Sequence, residues 1–182
     1  MSTLLEKDQT AFVLVDVQGK LSEMVHDSEL VLENLEKLIQ GLLILDIPII
    51  WLEQYPEGLG GTNEQISKHL TGLEPIGKRT FNACNHPEFL TAVKATGRRQ
   101  LLVAGIEAHI CVYQTALGLK SAGYDVQVVA DASSSRTASN KHIGFEKLKH
   151  NEISLTSVEM LLYELLGTSE GEQFKKILRI IK

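Results

Sequence analysis

The chain has 182 residues, 43% hydrophobic and 23% charged, enough to bury a full core in one domain without disulfide or metal staples. Its 18 Lys and Arg against 23 Asp and Glu give a formal net charge of -5 with no basic cluster, which argues against nucleic acid or an anionic membrane as partner. Two cysteines build no disulfide framework, no apolar run exceeds five residues, and the opening MSTLLEKDQT carries neither a basic segment nor a long apolar one; a soluble, cytoplasmic protein is expected.

The first element is AFVLV at 11–15, apolar on both faces as in a strand covered on both sides. Over 28–45 the period changes: Val31, Leu35, Leu38, Leu42 and Leu45 predict a helix, with Asp27 or Ser28 as its N-cap. A second strand follows Pro48 at 49–52. Pro56, Gly58, Gly60 and Gly61 mark a surface loop over 55–63, then a short helix over 64–70 and a short third strand over 74–77. A helix over 87–95 has Pro in its first turn and Gly97 past its end. The second half alternates more clearly: strand 101–104, helix 109–122 stopped by Gly123, strand 126–130, helix 141–149, strand 153–155 and helix 158–166 stopped by Gly167. Phe174, Ile177, Leu178 and Ile181 draw a last amphipathic helix, packed on its own sheet or against a second subunit, and a homo-oligomer is expected. Alternating strands and helices throughout predict one three-layer α/β domain over 1–182, a parallel sheet of about six strands flanked by helices on both faces.

Ligands of parallel sheets bind beyond the carboxyl ends of the strands. Asp16, Glu53, Gln54, Lys78, Glu107, His109, Cys111 and Asp131 fall there. An Asp ending a strand commonly caps a turn, and Asp131, followed by Ala-Ser-Ser-Ser-Arg, reads as loop structure. A free Cys is commonly a small buried hydrophobe. Cys111, however, lies near a helix start, where unpaired N–H groups favour a thiolate and can receive an oxyanion. Cys84 lies in a loop without such a start, so Cys111 is expected to alkylate first. Lys78 offers a cation and Asp16 a proton acceptor; Asp16→Asn and Lys78→Ala are expected to cut turnover and leave the fold intact. The six His form no i,i+4 pair and no paired CxxC occurs, so no metal is expected. Neither GxGxxG after the first strand nor GxxxxGK[ST] is present, which removes the main support for a nucleotide cofactor.

These residues stand in recognisable segments: Val15-Asp16-Val17-Gln18, Glu53-Gln54-Tyr55-Pro56-Glu57-Gly58-Leu59-Gly60, Lys78-Arg79-Thr80-Phe81, Gly105-Ile106-Glu107-Ala108-His109-Ile110-Cys111-Val112 and Val129-Ala130-Asp131-Ala132-Ser133-Ser134-Ser135-Arg136. In their order the chain, from Thr10 onward, resembles the isochorismatase-like (cysteine hydrolase) family, nearest its small isochorismatase-domain-containing branch. The resemblance implies the family's Rossmann-like six-stranded parallel sheet and a catalytic trio at Asp16, Lys78 and Cys111. It also implies a non-proline cis peptide between Ile106 and Glu107, which would aim the Glu107 and Cys111 N–H groups at an oxyanion. Gln18, Gln54, Tyr55, Phe81 and His109 are the expected substrate-pocket residues. The nicotinamidase branch holds a metal through Asp and His after the second strand; Glu53-Gln54-Tyr55 stand here, so neither metal nor cofactor is implied. True isochorismatases lack the Cys that this chain has. The implied activity is a cysteine-dependent hydrolase of a small amide-like or related carbonyl compound, acting through a thioester. The alternative is a non-catalytic binding or interaction protein on the same fold.

Overall fold

Strand β1 (Thr10–Val15) is buried along its whole length, as its two-sided apolar run requires. It is flanked on one side by β2 (Ile49–Gln54), which pairs with β3 (Ile76–Lys78), and on the other by β4 (Gln100–Ile106), β5 (Asp125–Ser134) and β6 (Ser154–Thr156). The computed structural model, which describes residues 4–182, thus has one six-stranded sheet, order β3-β2-β1-β4-β5-β6, with every pair parallel. The chain builds outward from β1 to β3, then returns to β4 and builds the other way. The crevice at the carboxyl ends of β1 and β4 is the topological switch point where such sheets bind ligands.

Helices cover both faces. In chain order they are α1 (Leu21–Met24), α2 (Ser28–Ile44), α3 (Pro56–Leu59), α4 (Glu64–Ser67), α5 (Pro87–Ala95), α6 (Tyr113–Ser121), α7 (Ala138–His150), α8 (Val158–Leu166) and α9 (Gly171–Ile181). Phe12 and Leu14 of β1 point into a core with α2, α8 and α9; Ala11, Val13 and Val15 point into a second core with α5 and α6. This alternation along one strand is what joins three layers. The C-terminal stripe is spent inside the fold: Ile177 is fully buried, Phe174 and Ile181 pack on the same core, and Gln173 donates to the Ile44 carbonyl at 3.0 Å. The stripe therefore offers no argument for a subunit contact.

Four local expectations need correction. Asp131 is not in a loop: β5 runs on to Ser134, and the Asp131 carboxylate accepts the Val158 N–H at 3.0 Å, capping α8. The helix expected over 109–122 starts as a π-helical turn, Ala108–Val112, before α6. β3 lies later than 74–77, so Lys78 ends the strand rather than following it. Asp27 adopts left-handed backbone (φ 54°) and makes no side-chain cap.

The strand ends that form the site are brought close by a glycine. Gly105 of β4 pairs with Val15 at φ 129°, and a Cβ there would run into the Val15 carbonyl oxygen. Only glycine accepts both the backbone conformation and that approach.

Candidate active site

Asp16 is the first residue past β1, with left-handed backbone at φ 51°, uncommon for a residue with a side chain. Its Oδ2 accepts a hydrogen bond from Lys78 Nζ at 2.8 Å. The same ammonium donates to Gln54 Oε1 at 2.7 Å and to the Thr80 carbonyl at 3.2 Å, so its three protons are all used. Lys78 is 2% exposed and Asp16 4%. Asp16 Oδ1 is buried with no hydrogen-bond partner among the described residues. The Cys111 thiol, 7% exposed in the π-helical turn, is close enough to the carboxylate for each group to shift the other's pKa.

Burial is the main influence on both groups. It raises the Asp16 carboxyl above the usual carboxylate range, against the opposing pull of Lys78. It pushes the Cys111 thiol well up, and the Asp16 charge adds to that push while Lys78 opposes it. Burial thus favours the Cys111 thiol over the thiolate expected from a helix start. The desolvation of Cys111 outweighs the helix terminus and the nearby ammonium.

Asp16 and Cys111 stand in a cavity of about 570 Å³, within the size range of small-molecule sites. Leu21, Leu59, Phe81, Ile106 and Ile110 make it largely apolar; Gln18, Lys20, Gln54 and Glu107 add polar groups. The peptide bond between Ile106 and Glu107 is cis, as the resemblance implies. The Glu107 N–H makes no hydrogen bond among the described residues. The Glu107 carboxylate, 6% exposed, accepts from Arg136 Nε at 2.7 Å. Gln18 ties the end of β2 and the residue after α3 to the end of β1: its amide donates to the Gln54 and Gly60 carbonyls and its Oε1 accepts the Gln54 N–H. Its polar atoms are thus taken up by backbone, although it lines the cavity.

Two expected pocket residues lie outside the cavity lining. Tyr55 is exposed at the start of α3, with the Arg79 guanidinium stacked 3.7 Å from its ring centroid. His109 turns to Ser135 Oγ at 2.9 Å and to Glu107 at 3.5 Å. Conversely, sequence reasoning gave no role to Lys20 or Arg136. Lys20 sits two residues beyond Gln18, close enough to a strand end to have been suspected; nothing local marks Arg136 as the partner of Glu107. Glu53 accepts the Thr62 N–H and hydroxyl at 2.7 and 2.8 Å and is turned away from the cavity. Among the described residues no three His, Cys, Asp or Glu gather as metal ligands, and no helix is long and apolar enough to cross a membrane.

Residues 10–160 match the family model described as the isochorismatase domain. Isochorismatase domain-containing protein 1 of Salmo salar is 34% identical over 174 residues, covering 95% of this chain; the chain spans 61% of that relative's length. Among solved structures, MAR1 ribonuclease from Caenorhabditis elegans superposes with TM-score 0.92 at 32% identity, over 98% of this chain and 92% of its own. The YcaC gene product of Escherichia coli, an octameric hydrolase of unknown specificity, shares the fold with TM-score 0.92 at 24% identity, over 99% and 91% of the two chains.

Proposed function

Since the chain belongs to the isochorismatase family, we propose that it is a hydrolase in which Cys111 attacks a small amide-like carbonyl compound and forms a thioester. The observation that carries this reading is the Asp16 carboxyl group close to the Cys111 thiol, its Oδ1 buried with no hydrogen-bond partner among the described residues and its Oδ2 held by Lys78 at 2.8 Å. A general base needs a free lone pair and a fixed orientation, and Asp16 has both.

Oδ1 takes the thiol proton as sulfur bonds to the carbonyl carbon. The N–H groups of Glu107 and Cys111 receive the oxyanion. The tetrahedral species collapses, the C–N bond breaks, and Asp16 returns its proton to the departing nitrogen. Water then attacks the thioester, Asp16 takes a proton from it, and the leaving sulfur recovers that proton. The sum is amide plus water to acid plus amine. Lys78 keeps Oδ2 neutralised and steers Oδ1 toward the thiol. A polynucleotide suits this site poorly, because the chain carries net charge -5 and the walls are apolar.

A panel of small amides and esters, incubated with wild type and Cys111→Ala, tests the reading. Release of acid by wild type and not by the variant is expected. Inertness of both, with tight retention of an unaltered ligand or protein partner, would favour the binding-protein alternative. Self-association is part of the proposal: Leu59 and Phe81 are 47% and 56% exposed at the cavity mouth, where a second copy would cover them. Light scattering that finds only a monomer at micromolar concentration would remove it. Free thiols at Cys84 and Cys111 suit a reducing compartment such as the cytoplasm.

A further inference from the structure

Glu107 contributes only its N–H to the proposed mechanism, yet the residue is 6% exposed and its carboxylate is left without a task there. A buried carboxylate stays ionised only where a cation or several donors answer it. Arg136 does so twice. Its Nε donates to Glu107 Oε1 at 2.7 Å and its backbone N–H to Oε2 at 3.4 Å, while His109 Nδ1 stands 3.5 Å from Oε2.

The sheet delivers Arg136 to that carboxylate. Ile106 pairs with Ser134 in the β4–β5 ladder, so Glu107 and the residues after Ser134 leave the sheet side by side. The backbone on each side of Arg136 is pinned. The Ser135 carbonyl accepts the His26 N–H at 2.8 Å, the Ser135 hydroxyl is 2.9 Å from His109 Nδ1, and Thr137 Oγ1 caps α7 by accepting the Asn140 N–H at 3.2 Å. The Arg136 side chain is 57% exposed and outside the cavity lining, so it acts on the site only through Glu107. Glu107 in turn heads the π-helical turn that carries Cys111, its carbonyl accepting the Ile110 and Val112 N–H groups at 3.1 and 3.3 Å.

We infer that Arg136 is a positioning residue: by clamping the Glu107 carboxylate from outside the cavity, it fixes the Glu107 N–H for the oxyanion and neutralises the Glu107 charge near Cys111. The inference rests on the hydrolase reading above and adds to it a residue that never meets the ligand. The two effects separate by chemistry. The clamp uses Nε, close to the backbone, whereas a lysine carries its only donors at the end of its chain. Lysine at 136 would therefore keep the charge and lose the geometry. The charge has its own readout at the thiol. Burial and Asp16 raise the Cys111 pKa most, and Glu107 adds to them, so removing the cation that answers Glu107 disfavours the thiolate further.

Arg136→Ala and Arg136→Lys, with Glu107→Gln added to the first, test this by two measurements. The first is hydrolysis of a small amide. Arg136→Ala should lower kcat about tenfold or more with KM within about twofold, because a displaced N–H is felt in the transition state. Arg136→Lys should recover only part of that loss. The second is the rate at which iodoacetamide labels Cys111 at pH 8.5, which needs no substrate. Labelling should slow about two- to threefold in Arg136→Ala, stay near the wild-type rate in Arg136→Lys, and rise above the Arg136→Ala rate when Glu107→Gln is added. Faster labelling in Arg136→Ala would overturn the inference, since the pair would then only hold the turn closed. So would a raised KM at unchanged kcat, or kcat and labelling both within twofold of wild type. Should Arg136→Ala fail to fold, Arg136→Gln, neutral and with an amide donor, takes its place in both measurements. If wild type turns over no amide, the hydrolase reading falls by itself, and labelling still decides whether Arg136 answers Glu107.

Discussion

Lys78 reaches Asp16 across 2.8 Å from a position 62 residues later in the chain, and both side chains are closed off from solvent. The strand order explains how. β3 lies two strands from β1, and Gln54, at the end of the intervening β2, bridges the gap by accepting from the same ammonium at 2.7 Å. Gln54 is itself fixed through its amide N–H to the Arg79 carbonyl at 2.9 Å, so its oxygen faces Lys78. Three adjacent strand ends thus hold one charge pair.

Such a pair is fragile to single substitution. Lys78→Met removes the counter-charge of a carboxylate that stays buried, and a destabilisation of about 3–5 kcal/mol is expected. Pairing it with Asp16→Asn removes both charges and should recover much of that loss. This revises the expectation that Lys78 can be replaced with the fold intact, because the structure buries both members of the pair. Urea unfolding of the two single variants and the double variant measures the effect; a Lys78→Met midpoint equal to wild type would disprove it.

On the proposed mechanism, Asp16 sets the acid limb of activity. As the base it must be ionised, and burial holds its pKa above the usual carboxylate range. The ratio kcat/KM should therefore fall as pH drops through that raised value, with its half-point above the pH at which an ordinary Asp titrates, near 3.9. Asp16→Asn should cost about 10²-fold or more in turnover and abolish this limb. A pH profile of wild type and variant on the same amide decides the matter. An unchanged limb in Asp16→Asn would assign it to another group.

Much of this site was legible because fully buried parallel strands announce themselves. AFVLV at 11–15 and the apolar run before Gly105 place Asp16 and Cys111 at strand ends without any structural information. The order of the strands has no local signature, so nothing in the sequence shows that β3 approaches β1 through β2. The extension of β5 was hidden for a different reason. Ala-Ser-Ser-Ser has turn composition, but Ser133 Oγ donates to the Val129 carbonyl at 2.8 Å and Ser134 Oγ to the His26 carbonyl at 2.6 Å. Those two acceptors, one within β5 and one far along the chain, let small polar residues sit fully buried in a strand. The Glu107–Arg136 pair was likewise invisible, since it joins two loops whose proximity depends on β4 pairing with β5.

Gly105 should tolerate no side chain. An added methyl meets the Val15 carbonyl oxygen, which is backbone and part of the β1–β4 ladder, and φ 129° is unfavourable for any residue with a Cβ. Gly105→Ala is expected to destabilise by about 2 kcal/mol or more and to impair activity through displacement of the Asp16 and Glu107 backbones. Gly123, also at positive φ but with open space around its Cβ position, is the control, and Gly123→Ala should cost about 1 kcal/mol. Thermal unfolding of the two variants compares them. Equal losses would mean that the contact with β1 contributes nothing.

The two cysteines should differ in how they respond to Asp16. Placement at a helix start alone predicts that Cys111 alkylates before Cys84. The structure reverses the basis of that expectation, because burial pushes Cys84 up to about 11 and pushes Cys111 further, with the Asp16 charge adding to it. Iodoacetamide reacts with thiolate, so at pH 6.5 both should label slowly in the native protein, with no lead for Cys111. Asp16→Asn removes the negative neighbour while leaving Lys78 in place. The Cys111 pKa should then fall and its labelling accelerate, with Cys84 unchanged. This is the opposite of the effect on turnover, where losing Asp16 removes the base that takes the proton during attack. A time course read by peptide mass mapping, with the amide assay on the same samples, separates the two roles. If Asp16→Asn slowed alkylation of Cys111 as well as turnover, Asp16 would be raising the resting thiolate population rather than accepting its proton in the reaction.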